Sequence, residues 1–272
     1  MEEFSKRLIS SIIGVPLILT AIYLGGPVYL LLIEIIIIAG LAEFLSLANI
    51  SQRSLKLASF AAALLLSLLI YLNNGQNQSF HHNPADLLTT IFLTVIILIT
   101  VFSRTTVISW QQTALAFTGV FYLSWTLSYL LLIREEFPLG REYTYLIFLV
   151  IWAVDIAAYI LGKRFGKNKM FPAISPHKTW EGAGSGILAG LITGSAVKFF
   201  LLPQKPWLPT LGLILAITII AQLSDLAESS LKRNFDSKDS GGLIPGHGGI
   251  LDRFDSFILT GPLVYYLIKW ML

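Results

Sequence analysis

Long uninterrupted apolar runs, rather than alternating apolar and polar positions, dominate this chain from end to end. Each run is about 20 residues long, which is the length that an α-helix needs to cross the hydrocarbon core of a bilayer. The pattern predicts about nine membrane-spanning helices, at residues 8–24, 28–48, 57–72, 87–102, 113–133, 143–162, 184–202, 210–230 and 257–272. The strands of an outer-membrane barrel would alternate instead, so the predicted fold is an all-α polytopic membrane protein.

Composition narrows the protein class further. Of the 272 residues, 55% are hydrophobic and only 13% are charged, about half the charged share of an ordinary soluble domain. So few polar residues cannot cover a soluble domain, and so apolar a chain does not stay disordered. The absence of cysteine excludes disulfides and thiolate metal sites. No polar linker is long enough to separate two soluble domains, so residues 1–272 are expected to form a single integral membrane domain.

Lysine and arginine are distributed unevenly between the two sides that nine spans define. Fourteen of the 19 lie on the side of the N-terminus, and such an excess marks the cytoplasmic side of a membrane protein. The N-terminus and two long basic loops, at residues 163–183 and 231–256, are therefore expected to face the cytoplasm. The same bias accounts for the net charge of +3, so no nucleic-acid partner is expected.

Four acidic residues fall inside the predicted spans, where a carboxylate is costly and marks a candidate functional position. They are Glu34, Asp155, Asp225 and Glu228. For Glu34 a structural hydrogen bond to a neighbouring helix is an equal alternative, whereas Glu43, near the end of the second run, is expected to reach water. On a helix Asp225, Ser229 and Lys232 share one face, with Glu228 beside them, which predicts a polar stripe at the cytoplasmic end of the eighth span.

The loop after the eighth span has five glycines among residues 241–249. Glycine permits close approach of the backbone to a ligand, and successive amides in such turns suit phosphate oxygens. Flanking lysines and arginines suit phosphate charge, and Asp239, Asp252 and Asp255 supply the oxygen ligands that Mg²⁺ prefers. A flexible connector is the alternative, but it does not account for three aspartates, a histidine and five glycines together.

The earlier cytoplasmic loop carries a second basic cluster, in which Ser175, Lys178 and Thr179 again suit a phosphorylated ligand. Alternatively, Ser175 with Pro176 starts a turn, and Thr179 with Glu181 opens the seventh span. Taken alone, this loop is a weaker indication of a site than the glycine-rich loop.

Two short stretches of the chain are similar to each other. Asp155-Ile156-Ala157 precedes the pair Lys163-Arg164, and Asp225-Leu226-Ala227 precedes the pair Lys232-Arg233. Both stretches leave the membrane on the same predicted side, so two parallel helices would each present an aspartate and a basic pair to one site. Chance similarity is the competing explanation, because the alignment is short and needs gaps.

Residues 229–255 resemble the full signature of the phosphatidate cytidylyltransferase family, whose members are also called CDP-diacylglycerol synthases. The matching positions are Ser229, Lys232, Arg233, Lys238, Asp239, Gly241, Ile244, Pro245, His247, Gly248, Gly249, Ile250, Asp252, Arg253, Phe254 and Asp255. Segments with Ser175, Lys178, Thr179 and Glu181, and with Asp155, resemble further recurrent segments of the same family. Fixed spacing over 27 residues makes the main match highly specific, and the nine-span plan fits the family over the whole chain.

The resemblance implies that CTP and phosphatidic acid give CDP-diacylglycerol and pyrophosphate, with Mg²⁺ as cofactor. It implies Asp225 and Asp252 as metal ligands, and a second cation nearby whose identity the sequence does not show. The residues expected to be catalytic are Asp225, Lys232, Lys238, Asp239, Asp252 and Arg253. The residues expected to bind substrate are Asp155, Ser175, Lys178, Thr179, Arg233, His247, Gly248 and Gly249.

The chemistry of the two implied substrates also implies a location. Phosphatidic acid stays in the lipid bilayer while CTP comes from the cytosol, so the site is expected at the cytoplasmic face of the inner (plasma) membrane. The sequence leaves the oligomeric state open, and a homodimer is compatible with it.

Two other functions stay open. A CTP-dependent kinase of a polyprenol or similar lipid alcohol would transfer the γ-phosphoryl group, but it is not expected to carry the complete signature. An ion-coupled transporter would use Glu34, Asp155 and Asp225 as a relay, but it has no need of a basic, glycine-rich cytoplasmic loop.

Overall fold

The computed structural model of the chain describes residues 2–73, 110–242 and 248–271. The helices are α1 Glu2–Leu24, α2 Gly26–Leu47, α3 Arg53–Asn73, α4 Trp110–Val120, α5 Thr126–Glu136, α6 Gly140–Phe165, α7 Trp180–Leu201, α8 Trp207–Asn234 and α9 Leu251–Met271. A π-helical turn, Phe121–Trp125, joins α4 to α5, so that together they form one helix of 27 residues. Two short strands, β1 Lys169–Phe171 and β2 Ser175–Thr179, lie between α6 and α7.

Within the described residues, six helices are long and apolar enough to cross a membrane: α2, α3, the joined α4–α5 helix, α6, α7 and α8. The fold is therefore that of an all-α polytopic membrane protein, as the apolar runs predict. Helices α1 and α9 coincide with the first and ninth predicted spans, although they do not meet the same criterion of length and hydropathy. The predicted fourth span, residues 87–102, lies outside the described residues, and the total of nine stays a prediction.

Many large apolar side chains lie on the surface of these helices. Phe200, Leu208 and Trp270 are 74%, 82% and 86% exposed. A soluble protein rarely exposes apolar surface on this scale. Such a surface is stable in contact with lipid acyl chains, as expected of a membrane protein.

The first of two compact units in the chain comprises Met1–Glu136 with Asp239–Arg253. Helix α2 packs against α1, α3 and the joined α4–α5 helix. Gly119 permits this packing, because a Cβ atom there would lie 2.7 Å from Cε1 of Phe44. Glu34 of α2 accepts a hydrogen bond from Ser67 Oγ of α3, which confirms the alternative of a structural hydrogen bond between neighbouring helices.

The second unit comprises Phe137–Lys238 with Phe254–Leu272. Helix α7 packs against α6 and α8 along four buried glycines spaced four residues apart: Gly182, Gly186, Gly190 and Gly194. A Cβ atom at Gly186 would lie 3.2 Å from the carbonyl oxygen of Val154 in α6, and one at Gly194 would lie 2.9 Å from Ile214 Cγ1 in α8. Small residues on one face thus let three helices approach closely, as is common in membranes. The prediction of one single domain over residues 1–272 stays a prediction.

An antiparallel hairpin of β1 and β2 interrupts the helices of the second unit. It pairs Lys169 with Thr179 and Phe171 with Ser175. The all-α prediction misses this hairpin, because the polar segment that forms β2 has no alternation of apolar residues to mark it as a strand.

The helices also extend into the two predicted cytoplasmic loops. Helix α6 continues to Phe165 and α7 begins at Trp180, so residues 166–179 connect them. Helix α8 continues to Asn234 and α9 begins at Leu251, so residues 235–250 form the second connection. Both connections are shorter than the predicted loops, at residues 163–183 and 231–256.

Replacement of Gly190 by leucine is expected to destabilise the second unit. A Cβ atom at this position would lie 2.9 Å from Cγ2 of Val154 and would also meet the side chain of Thr218. Overpacking of this kind costs about 1–3 kcal/mol in the free energy of unfolding, so Gly190→Leu should lower the midpoint of thermal unfolding in detergent. Gly184→Leu is the matched control in the same helix, since a Cβ atom there has no neighbour within 4 Å. Equal midpoints for both variants would contradict the close packing.

Candidate active site

Strand β2 and helix α8 bring Lys178 and Asp225 together in the second unit. Lys178 Nζ lies 2.8 Å from Asp225 Oδ1, and both side chains are partly buried. The nitrogen itself is shielded from solvent, and apart from this ion pair it makes no hydrogen bond to the part of the chain that the structure describes. Because an ammonium group has three donors, Lys178 retains donors for a second anionic group beside Asp225.

Asp255 lies in an acidic group that also belongs to the second unit. The charges of Asp225, Asp155 and Glu228 all act on Asp255. Lys232 Nζ lies 2.8 Å from Glu228 Oε2, and the Glu228 side chain is fully buried. Two of these carboxylates pair with lysines, Asp225 with Lys178 and Glu228 with Lys232. Carboxylates that lie this close repel one another when ionised, and a bound cation relieves such repulsion.

The chemistry of this acidic group fits Mg²⁺. Among the described residues, no three histidine, aspartate or glutamate side chains are placed to hold one metal ion together. Mg²⁺ does not require such a set, since it usually takes one or two carboxylates and completes its shell with water and substrate phosphates. The hard oxygen donors of this acidic group therefore suit Mg²⁺, and Asp225 is the predicted ligand in this unit.

Helix α8 presents its polar stripe as the helical period predicts. Ser229 Oγ lies 3.5 Å from Asp225 Oδ1, while Lys232 pairs with Glu228, one turn before it. The charges of Asp155 and Asp225 both act on Asp255, while the role of these two aspartates in one shared site stays a prediction.

In the first unit, Asp252 stands in the first turn of α9 and holds the glycine-rich loop. Its carboxylate accepts hydrogen bonds from the N–H groups of Ser240 at 3.1 Å and Gly249 at 2.9 Å. Gly248 has a φ of +83°, and a Cβ atom there would lie 3.0 Å from Asp252 Oδ2. A carboxylate has about four acceptor positions, so Asp252 can bind a cation in addition to these amides.

Glu43, near the end of α2, also holds this loop, and the expectation that it reaches water is wrong. Its side chain is buried, with 5% exposed. Its carboxylate accepts hydrogen bonds from Ser240 Oγ at 3.1 Å, Ile250 N at 3.0 Å and Leu251 N at 2.9 Å. Sequence reasoning missed this residue because the partners are about 200 positions away. The available signal was the high cost of a carboxylate within an apolar run.

Four backbone amides at and beside the loop serve these two carboxylates, which differs from the expectation that the loop amides face a phosphate. Ser240 and Gly249 donate to Asp252, and Ile250 and Leu251 donate to Glu43. Gly241 also leaves room for Glu43, because a Cβ atom at this position would lie 2.7 Å from Glu43 Oε1.

Two predicted substrate-binding residues have structural contacts of their own. Arg233 donates from Nε to the carbonyl oxygen of Ile174 at 3.1 Å and from Nη1 to that of Ser237 at 2.9 Å. Its guanidinium thus ties the hairpin to the end of α8. Thr179 is the N-cap of α7 and its Oγ1 accepts a hydrogen bond from Gly182 N, which confirms the alternative that Thr179 opens this helix.

The remaining predicted residues differ in their surroundings. Lys238, Asp239, Arg253 and Asp155 are exposed, and Ser175 is partly buried at the start of β2. His247 lies outside the described residues. The substrate-binding and catalytic roles of this set stay predictions.

Comparison with known proteins gives a consistent result over nearly the whole chain. Residues 5–271 match the family model described as the cytidylyltransferase family. The phosphatidate cytidylyltransferase of Bacillus subtilis (strain 168) is 31% identical over 271 residues, covering 98% of both chains. Those of Staphylococcus haemolyticus and Staphylococcus saprophyticus are 34% and 35% identical over 267 residues, covering 97% and 96% of this chain and 99% and 98% of theirs. The chain therefore belongs to the cytidylyltransferase family.

Proposed function

We propose that the protein transfers the cytidylyl group of CTP to phosphatidic acid, forming CDP-diacylglycerol and pyrophosphate. The observation that carries this proposal is the end-to-end similarity to relatives that are each named phosphatidate cytidylyltransferase. The basic and acidic groups beside long apolar helices supply chemistry that suits a phosphorylated lipid and a nucleotide.

The reaction needs positioning and charge neutralisation more than covalent help from the protein. A phosphate oxygen of phosphatidic acid attacks the α-phosphorus of CTP, and a new P–O bond forms. The bond from this phosphorus to the oxygen that bridges it to the β-phosphorus breaks, and pyrophosphate leaves with the bonding electrons. Holding the attacking and leaving oxygens in line, among groups of opposite charge, accelerates such a transfer.

Lys178 is suited to hold one of the reacting phosphates. Its nitrogen is shielded from solvent and, apart from its ion pair with Asp225, makes no hydrogen bond within the described residues. A phosphate oxygen beside Asp225 would accept hydrogen bonds from the N–H groups of Lys178 that do not face Asp225. Lys238 and Arg253 are exposed and are suited to meet CTP from solution.

Mg²⁺ is the cofactor that this proposal includes, with Asp225 in the second unit and Asp252 in the first as its predicted ligands. When bound, it would neutralise phosphate charge and stabilise the departing pyrophosphate. The group of carboxylates around Asp255 supports a cation there, and a second cation is compatible with that group. The structure describes the contacts of Asp225 within the second unit and those of Asp252 within the first.

The membrane arrangement is part of the same proposal. Nine spans with a cytoplasmic N-terminus place 14 of the 19 lysines and arginines on the cytoplasmic side. Both connections that carry the predicted site residues then lie on that side of the inner membrane, where CTP is available and the lipid substrate can enter from the bilayer.

The first prediction concerns which phosphorus is attacked. With purified protein, phosphatidic acid and Mg²⁺, label from [α-³²P]CTP should enter a chloroform-soluble product, and label from [γ-³²P]CTP should leave as pyrophosphate. Omission of phosphatidic acid is the control and should abolish lipid labelling. Lipid labelled only from the γ position would identify a lipid-alcohol kinase instead.

The second prediction concerns the two carboxylates predicted to bind Mg²⁺. Asp225→Asn and Asp252→Asn should each lower turnover by about 100-fold or more, because the amide keeps the shape but loses the charge that attracts the metal. Initial rates across a Mg²⁺ titration measure this effect. Glu34→Gln is the control, since Glu34 bonds to Ser67 within the membrane helices. Normal turnover in either aspartate variant would remove that residue from the ligand set.

The third prediction concerns the side of the membrane that each connection faces. The chain contains no cysteine, so single cysteines report their own accessibility. In intact cells, Asn168→Cys should be protected from an impermeant thiol reagent and Gln76→Cys should react. The reverse pattern would contradict the proposed orientation, and labelling after cell lysis shows that both cysteines are reactive.

A further inference from the structure

We propose that Glu43 is a positioning residue for the reaction, which acts by fixing the loop and helix start that carry Asp252 and Arg253. This inference rests on the proposed function. Neither the signature nor the predicted metal ligands include Glu43.

The contacts of Glu43 are those of a buried group with a specific partner. Its carboxylate accepts three hydrogen bonds, of 2.9 to 3.1 Å, from Ser240 Oγ, Ile250 N and Leu251 N. Both carboxylate oxygens take part, and the side chain is 5% exposed. Burial of a carboxylate is unfavourable unless hydrogen bonds or charges compensate it, so the loop and Glu43 depend on each other.

The position of Glu43 at the start of α9 adds an electrostatic contribution. Helix α9 begins at Leu251, and the first N–H groups of a helix have no partner within the helix. Glu43 accepts from Leu251 N and from Ile250 N just before it. A negative charge at this end also interacts favourably with the helix dipole. Glu43 therefore fixes where α9 starts and in which direction its first turn points.

Ser240 links Glu43 to the predicted metal ligand Asp252. The hydroxyl group of Ser240 donates to Glu43 Oε2 at 3.1 Å, while its N–H group donates to Asp252 Oδ2 at 3.1 Å. Glu43 thus reaches Asp252 by two routes, through Ser240 and through the first turn of α9. A shift of the Glu43 carboxylate would move both supports of Asp252.

Two glycines leave the space that the Glu43 carboxylate occupies. A Cβ atom at Gly241 would lie 2.7 Å from Glu43 Oε1, and one at Gly249 would lie 2.7 Å from Glu43 Cδ. Gly242, by contrast, has no neighbour within 4 Å of a Cβ atom. Two glycines of the signature, Gly241 and Gly249, are therefore required by Glu43, and Gly242, which the signature does not include, offers a place for a reporter group.

Glu43→Gln is the informative substitution, because it keeps the size of the side chain and replaces one acceptor oxygen by an N–H₂ donor. With its remaining oxygen on Ser240 and Leu251, the amide group would turn a donor towards the N–H of Ile250. At least one of the three hydrogen bonds is lost in every orientation that keeps the backbone donors in place. Glu43→Asp keeps the charge but shortens the side chain by one methylene group, which moves the carboxylate away from its partners.

Two measurements test the inference together. The first is the determination of kcat and KM for CTP in membranes. Glu43→Gln is expected to lower kcat by about 10- to 100-fold, with a smaller change in KM. A loss of this size is usual when a group that orients a ligand is removed. The second is the mobility of a nitroxide on Gly242→Cys, which is unique in a chain without cysteine. Glu43→Gln should increase this mobility, and Glu43→Asp should lie between Glu43→Gln and the parent in both measurements.

Glu34→Gln is the matched control, since it removes the other carboxylate of α2, whose hydrogen bond runs to Ser67 of α3. It should leave kcat and nitroxide mobility unchanged. Native kcat in Glu43→Gln, or a lowered kcat with native mobility, would overturn the positioning role. Loss of folded protein in both Glu43 variants would also overturn it, because Glu43 would then be required by the whole unit. If the unsubstituted protein forms no CDP-diacylglycerol, the proposed function fails, while the mobility comparison still decides whether Glu43 holds the loop.

Discussion

A carboxylate that is removed from water inside a membrane protein must meet a positive charge or hydrogen-bond donors, and this constraint organises both described units. Asp225 meets Lys178, Glu228 meets Lys232, and Glu43 meets two backbone amides and a hydroxyl group. The partners lie in the connecting segments or in the first or last turns of the helices. Consequently, the charges that phosphate chemistry requires also hold those segments in place.

The parts of this structure that follow from local sequence were predictable. A membrane-spanning helix depends on the length and composition of one apolar run, so the runs located eight of the predicted helices in the described chain. The polar face of α8 follows from the helical period alone, which placed Asp225, Ser229 and Lys232 together. The motif from 229 to 255 identified the family because its spacing is fixed, and the full-length match confirms that membership.

The parts that depend on distant contacts were not predictable from one sequence. No local pattern connects Glu43 with Ser240, which follows it by 197 positions. The hairpin lacks apolar alternation and is held from outside, by Arg233 at Ile174 and by Glu181 at Asn168. Arg233 had the right charge for a phosphate, but the packing of the hairpin directs its guanidinium to carbonyl oxygens.

The occupied amides at the two ends of the glycine-rich loop have a consequence for selectivity among anions. A nest of open amides would hold any small oxyanion, including sulfate or inorganic phosphate, whereas the amides of residues 240 and 249–251 are occupied by the protein's own carboxylates. At these positions, small anions find no open backbone donors. In the proposed reaction, a nucleotide arriving from solution would meet exposed side chains such as Lys238 and Arg253, whose attraction is screened over about 10 Å at 0.1 M salt. Capture of the nucleotide would then be sensitive to ionic strength, while the buried framework that holds the ends of the loop would not.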